Sequence, residues 1–184
     1  MISRRGAVAF AVILIAALAA DQLTKAWAHT LPVAPAGCAL PGELIAGRCI
    51  GVPRSVVDGY WDWELAYNPG VAFSTFASAA GHTGMRVILA AIALIALVGI
   101  SLLALRGAPD QPWRRAAYAL IAGGALGNLV DRVRDGAVTD FVRWRIHDHR
   151  WPIFNVADVV LVVGVAVLLL DGLGARRAAL RRTE

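Results

Sequence analysis

Two aspartates stand out as residues that could do chemistry. Asp140 opens the alternating segment that runs on from Phe141 to His147, and Asp158 follows Asn155 by three residues where a strongly apolar segment begins. Carboxylates brought together at a low-dielectric boundary cannot both ionise, so one keeps its proton and the pair can serve as base and acid on one water molecule. Asp131 is a rival partner. It adjoins Arg132 and shares a helix face with Asn128, a setting that suits a structural ion network equally well. Other chemistries find less support. His29, His82, His147 and His149 form no nucleophile and base constellation, and His147-Asp148-His149 alternates across a strand without metal-ligand spacing. Gly123, Gly124 and Gly127 fall inside an apolar span, where Gly123 and Gly127 read as a GxxxG packing pair and not as a phosphate cradle. No metal and no organic cofactor is expected.

The elements that must position these residues follow from composition. Apolar residues make up 58% of the 184 and charged ones 17%, and the mean hydropathy is +0.62. That excludes disorder and is too oily for an ordinary water-soluble domain of this length. The net charge of +5 comes from scattered bases beside apolar runs, so nucleic acid is not expected as a partner and membrane lipid is. Four transmembrane helices are expected at about 7–27, 86–105, 115–132 and 154–172, in a single polytopic domain. The fold class is thus an all-α integral membrane protein with a small extracytoplasmic β-sheet region at the interface, built from loops 28–85 and 133–153. The charge-free cores of spans three and four are short of the roughly 20 residues a bilayer needs, which puts Asn128, Asp131, Asn155 and Asp158 at the lipid boundary. A cleavable secretory signal competes for the first span. Against it, Asp21 and Lys25 form an i, i+4 pair that carries the helix past Ala20. Basic residues divide evenly between the two sides. Those on the terminal side crowd short segments next to spans, so both termini are expected in the cytoplasm.

The first outward loop contains Cys38 and Cys49, the only two cysteines. They are read either as a disulfide closing a small hairpin or as two unpaired buried thiols. Tyr60 to Tyr67 alternates like a half-buried strand, with Trp61 and Trp63 on one face at headgroup depth, and Asn68-Pro69-Gly70 is turn chemistry. In the second loop Val142, Trp144 and Ile146 point one way, and Phe141, Arg143, Arg145 and His147 the other.

Five blocks, taken in order, resemble the signature motifs of lipoprotein signal peptidase, bacterial signal peptidase II. They are Asp21-Gln22-Leu23-Thr24-Lys25, Asn68-Pro69-Gly70-Val71-Ala72-Phe73-Ser74, Gly123 through Arg132, Val138-Thr139-Asp140-Phe141 and Phe154-Asn155-Val156-Ala157-Asp158. The resemblance implies an aspartic endopeptidase of the bacterial inner membrane that cleaves prolipoproteins before a diacylglyceryl-modified cysteine. It implies a catalytic dyad of Asp140 and Asp158. Asn68, Gly70, Asn128, Arg132 and Asn155 would position peptide and dyad, and Asp21 and Lys25 would support the site. The implied partners are lipidated prolipoproteins, membrane lipids and the inhibitor globomycin. Two departures from the family pattern are the Cys38 to Cys49 insertion and Thr139, where an aliphatic residue is common. A four-span non-enzymatic scaffold or transporter, and a thiol oxidoreductase using the cysteines, are the rival functions. Thiol chemistry would want a closer cysteine pair.

Overall fold

The structure is a computed structural model that describes residues 3–70, 74–106, 111–146 and 149–180. Val71 to Phe73 of the second motif block, and His147 with Asp148, lie outside the described residues. The elements in chain order are α1 (Arg4–Ala28), β1 (Val33–Ala34), α2 (Gly42–Ile45), β2 (Ile50–Gly51), β3 (Arg54–Val57), β4 (Trp61–Asn68), α3 (Ser74–Arg106), α4 (Pro112–Arg134), β5 (Val138–Ile146), β6 (His149–Arg150) and α5 (Val156–Leu180).

Three helical segments are long and apolar enough to cross a bilayer, namely Arg4–Ala28, Val87–Ala104 and Val156–Gly174. The fourth expected span, α4, runs for 23 residues but falls short on apolarity because it carries Arg114, Arg115, Asp131, Arg132 and Arg134. Its place in the bundle accounts for this. Helix α4 packs against α1, α3 and α5, so it is surrounded by protein and uses small residues where the others use lipid-facing Leu, Ile and Val. Side chains added at Gly123 or Gly127 would collide with Leu14, Ala17 and Asp21 of α1, and one at Gly124 with the Ala157 carbonyl of α5. The small-residue face expected of this segment is therefore the contact that lets three backbones approach. Helix α3 begins at Ser74, so residues 74–85, read from the sequence as loop, are helical. No proline interrupts them before the apolar run.

Antiparallel strands β3-β4-β5-β6 form one sheet, and β1 with β2 a small second one. Helix α4 ends in Asp135 and Gly136, the glycine at φ +72°, and its N–H returns to the Arg132 carbonyl at 3.1 Å. This left-handed cap turns the chain directly into β5. Strand β5 pairs with β4 in two stretches, Trp61↔Trp144 to Trp63↔Val142 and Ala66↔Asp140 to Asn68↔Val138. Between them Glu64 and Leu65 oppose Phe141 alone, a bulge beside Asp140. Residues before α5 also join β5, since Val142 and Phe154 exchange backbone hydrogen bonds of 2.8 and 3.1 Å. The start of α5 is thereby fastened next to Asp140.

Burial in the sheet departs from simple alternation. Asp62 and Glu64 are buried because Arg145 and Arg143 from β5 pair with them across the strands. Trp61 and Trp63 share a face as expected, stacked edge to face with centroids 4.7 Å apart. In β5 both Phe141 and Val142 are buried while Trp144 and Ile146 are exposed. The first half of the strand is covered on both sides, and the second half projects beyond that cover. Cys38 and Cys49 are joined in a disulfide. It closes the β1–β2 hairpin, whose Leu40 and Leu44 pack against a core of Ala28, Leu31, Leu65, Phe141 and Val142.

Candidate active site

The site is built on a buried cation. Lys25 of α1, 1% exposed, lies 2.8 Å from Asp21 one turn back and 3.0 Å from Asp131 of α4, both fully buried. The i, i+4 pair seen in the sequence is thus part of a three-membered cluster in which two carboxyl groups share one lysine. Gln22 completes it by donating to Asp21, Asp131 and the Gly127 carbonyl at 3.1, 3.2 and 3.3 Å. Two further bonds tie the cluster outward. Asp131 accepts from the Thr139 backbone N–H at 2.9 Å, and Asp21 from the Ala157 N–H at 3.0 Å. The first anchors the strand that carries Asp140. The second satisfies one of the free donors at the start of α5, where a carboxylate also meets the positive end of the helix dipole.

Lys25 donates as well to the Asn128 side-chain oxygen at 2.9 Å. A lysine ammonium can only donate, so this bond fixes which way the Asn128 amide points. Its nitrogen is left facing Asp158, 3.0 Å from Oδ1. Asn155 is oriented in the same manner. It is the N-cap of α5: its oxygen accepts from the Asp158 N–H at 3.0 Å while Asp158 Oδ2 accepts from the Asn155 N–H at 3.2 Å, a capping box closed by aspartate. The Asn155 nitrogen is thereby turned away from the helix, to Asp140 Oδ1 at 2.7 Å, with Asn128 Oδ1 and the Thr139 carbonyl each at 3.2 Å. Asn155 touches both aspartates, through opposite ends of one amide.

Asp140 is 3% exposed and stands on the strand, outside the helical spans. Burial, reinforced by the charge of Asp158, pushes its carboxyl up from the ordinary 3.8 to about 7, against hydrogen bonds from Asn155 and Asn68 that favour the ionised form. Near neutral pH this group is therefore poised to hold or release a proton. Asn68 sits opposite Val138, two residues along from the Ala66↔Asp140 pair, so its side chain shares Asp140's face of the sheet. Gly70, at φ +92°, donates to the Asn68 side-chain oxygen at 2.9 Å in an Asx turn. Arg132 donates to the Asn128 carbonyl at 3.2 Å and lies in the field of Asp140 and Asp158. Among the described residues its buried Nε has no hydrogen-bond partner.

The structure therefore brings Asp140, Asp158, Asn68, Asn128, Arg132 and Asn155 to one face, with Asp21 and Lys25 beneath them. Asp131, the rival partner for the dyad, is occupied by Lys25, Gln22 and the Thr139 backbone. Three participants escaped the sequence reading. The Thr139 backbone bonds Asp131 with its N–H and Asn155 with its carbonyl, and main-chain atoms leave no trace in a sequence. Gln22 stands inside the first motif block, which was the available signal. His29, at the end of α1, places Nε2 3.4 Å from the Thr139 hydroxyl, a contact that required the β5 register to find. Among the described residues, Cys38, Glu43 and Cys49 are the cluster that could hold a metal ion, but the disulfide consumes both sulfurs.

Comparison with known proteins gives a consistent result. Residues 13–173 match the family model described as signal peptidase (SPase) II. The lipoprotein signal peptidase of Xylella fastidiosa strain 9a5c is 39% identical over 151 residues, 82% of this chain and 79% of that protein. The lipoprotein signal peptidase of Xanthomonas campestris pv. campestris strain 8004 is 40% identical over 131 residues, 68% of this chain and 77% of that protein. A bacterial membrane enzyme solved by the in meso method at 1.9 Å superposes with a TM-score of 0.70 at 25% identity, covering 89% of this chain and 92% of that one.

Proposed function

The chain belongs to the signal peptidase II family, and from that premise we propose that it is an aspartic endopeptidase which cleaves prolipoproteins immediately before a diacylglyceryl-modified cysteine. Asp140 and Asp158 are the dyad. The observation that carries this reading is the Asn155 amide, which binds Asp140 with its nitrogen and the Asp158 backbone with its oxygen, beside a carboxyl whose proton is held to about pH 7.

In this mechanism Asp158 takes a proton from a water that attacks the scissile carbonyl. Asp140 gives its proton to the departing cysteine nitrogen as the tetrahedral intermediate collapses, leaving a carboxylic acid on the signal peptide and a free amine on the lipoprotein. Asn128 holds Asp158, and Asn155 holds Asp140. Arg132, with a buried donor still unmatched, and Asn68 are suited to receive peptide carbonyls that would otherwise lose their water without replacement. The scissile bond adjoins a lipidated cysteine, so the acyl chains can remain in the bilayer only if the dyad lies at its edge. The polar ends of α1, α4 and α5 under the sheet provide that position.

The same reading makes α4 the fourth span. It needs little lipid-facing apolarity because α1, α3 and α5 surround it. Both termini are cytoplasmic and the sheet faces outward from the bacterial inner membrane. The Cys38–Cys49 disulfide on the sheet side supports this orientation, since such bonds persist in oxidising compartments. Asp140→Asn and Asp158→Asn should each insert into the membrane normally and abolish processing of a lipidated prolipoprotein by the purified enzyme. Globomycin should inhibit the wild type. Normal cleavage by either variant refutes the dyad.

A further inference from the structure

At the end of the bundle remote from the dyad, α1 and α4 both start with arginines: Arg4 and Arg5 on one, Arg114 and Arg115 on the other, with no acidic residue in either first turn. A helix N-terminus carries about half a positive charge, so cations are disfavoured there unless an anion accompanies them. For Arg114 that anion is Asp171 of α5. Among the described residues no carboxylate pairs with Arg4 or Arg5, although both are exposed.

Two apolar hollows lie side by side at this end, one along α1 alone and one between α1 and α4. The first, about 400 Å³, is walled by Val8, Ala9 and Val12 below Arg4 and Arg5. The other, about 300 Å³, is walled by Ala9, Ile13 and Ala116 below Arg115 and Trp113. Ala9 lines both, so they adjoin, with Arg4 and Arg5 at one end and apolar side chains along the floor. Val8, Val12 and Trp113 are largely exposed along it. Along α1, at 1.5 Å per residue, Arg5 lies roughly 24 Å and Ala9 roughly 18 Å from Asp21, so this region is separate from the peptidase site.

We propose that these adjoining hollows bind an anionic glycerophospholipid, with an acyl chain along the Ala9 floor and the phosphate on Arg4 and Arg5. Two features select this ligand class. A free anion would use only the mouth and leave the exposed valines uncovered, whereas a zwitterionic lipid would cover the valines but add charge of both signs to a site that lacks only negative charge. Basic pockets between membrane helices, flanked by tryptophan at headgroup depth, recognise anionic headgroups on this principle. The inference requires that the helices sit in a bilayer and is independent of the dyad.

Native mass spectrometry of the purified full-length chain, titrated with dioleoylphosphatidylglycerol or dioleoylphosphatidylcholine, tests it. With each base near a membrane surface contributing roughly fivefold in affinity, the two arginines should give the anionic lipid about a thirtyfold preference. Arg4→Gln with Arg5→Gln should erase that preference. Arg54→Gln with Arg150→Gln removes the same charge from exposed positions on the sheet and should preserve it. Ala9→Phe fills the floor without altering charge and should weaken retention of the anionic lipid several-fold, while inorganic phosphate should fail to displace it. Equal binding of the two lipids, an equal loss in the sheet control, or no effect of Ala9→Phe would each reduce the contact to general lipid coating and overturn the proposal. Displacement by phosphate would assign the mouth to a free anion. A dimer whose abundance falls with Ala9→Phe would assign the hollows to a second copy of the chain. The processing assay is read separately, so failure here leaves the peptidase reading untouched, and the converse holds.

Discussion

Replacing Asn155 separates two tasks that one amide performs. Its oxygen caps α5 through the Asp158 N–H, and its nitrogen donates to the Asp140 carboxyl at 2.7 Å. Serine at this position keeps an oxygen for the cap but has no amide nitrogen, whereas alanine has neither. An N-cap replaced by alanine costs about 1 kcal/mol, and by serine a few tenths at most. A hydrogen bond to a charged group contributes about 1.5–3 kcal/mol, and 1.36 kcal/mol corresponds to one pKa unit. The Asn155 bond favours ionised Asp140, so its loss should raise that carboxyl from about 7 by roughly 1 to 2. Asp140 works protonated in the proposed mechanism. The alkaline limb of kcat/KM for cleavage of a lipidated substrate should therefore move up by about 1 to 2 pH units in both Asn155→Ser and Asn155→Ala. Thermal stability should fall clearly only in Asn155→Ala. An alkaline limb that stays in place in both variants, or that moves only with alanine, would refute the assignment of Asp140 as the group Asn155 holds.

Three further outcomes are expected. Because Asp140 binds its proton more tightly folded than unfolded, its contribution to stability is retained below the ordinary value of 3.8 and declines as pH rises to about 7, by up to about 4 kcal/mol. Asp140→Asn avoids that loss, so its unfolding temperature should exceed wild type at pH 8 and approach it near pH 4. Lys25→Met strands Asp21 and Asp131 as buried carboxylates without their cation, and denaturation should register a loss of about 3–5 kcal/mol; a neutral effect would mean the cluster is hydrated. Cys38→Ser with Cys49→Ser opens a short loop, so stability should drop by no more than about 3 kcal/mol while cleavage stays measurable. Complete loss of cleavage with the fold intact would return thiol chemistry to consideration.

The outward loops show where one-dimensional reading reaches its end. Alternation in Tyr60 to Tyr67 marked a strand correctly, yet it implied that Asp62 and Glu64 face water. They are covered because β5 delivers Arg143 and Arg145 opposite them, and a pattern of period two contains no information about what arrives across the sheet. The Glu64-Leu65 bulge is equally invisible, since it exists only as a mismatch between two strands. Apolarity likewise marked four spans, the last two with short charge-free cores, yet α5 proves long and apolar enough to cross a bilayer and α4 does not. Hydropathy measures fitness for lipid, and α4 is solvated by its neighbours.

What the sequence determined by itself is local: the apolar runs, the GxxxG face of α4, the one-turn pairing of Asp21 with Lys25, the three-residue step from Asn155 to Asp158, and the residue types able to share a proton. These follow from the fixed repeat of helix and strand, which sets who lies on which face. What only the tertiary structure decided is which partners the three aspartates find. The bond from Ala157 to Asp21 spans 136 residues, and the Lys25 bond to Asn128 spans 103. Such contacts arise from the close approach of α1, α4 and α5, which gives Asp131 to the buried cation and links Asp140 and Asp158 through Asn155. Unmatched buried polar groups are costly, so the packing of backbones, and not the spacing of residues, set which partners each carboxylate found.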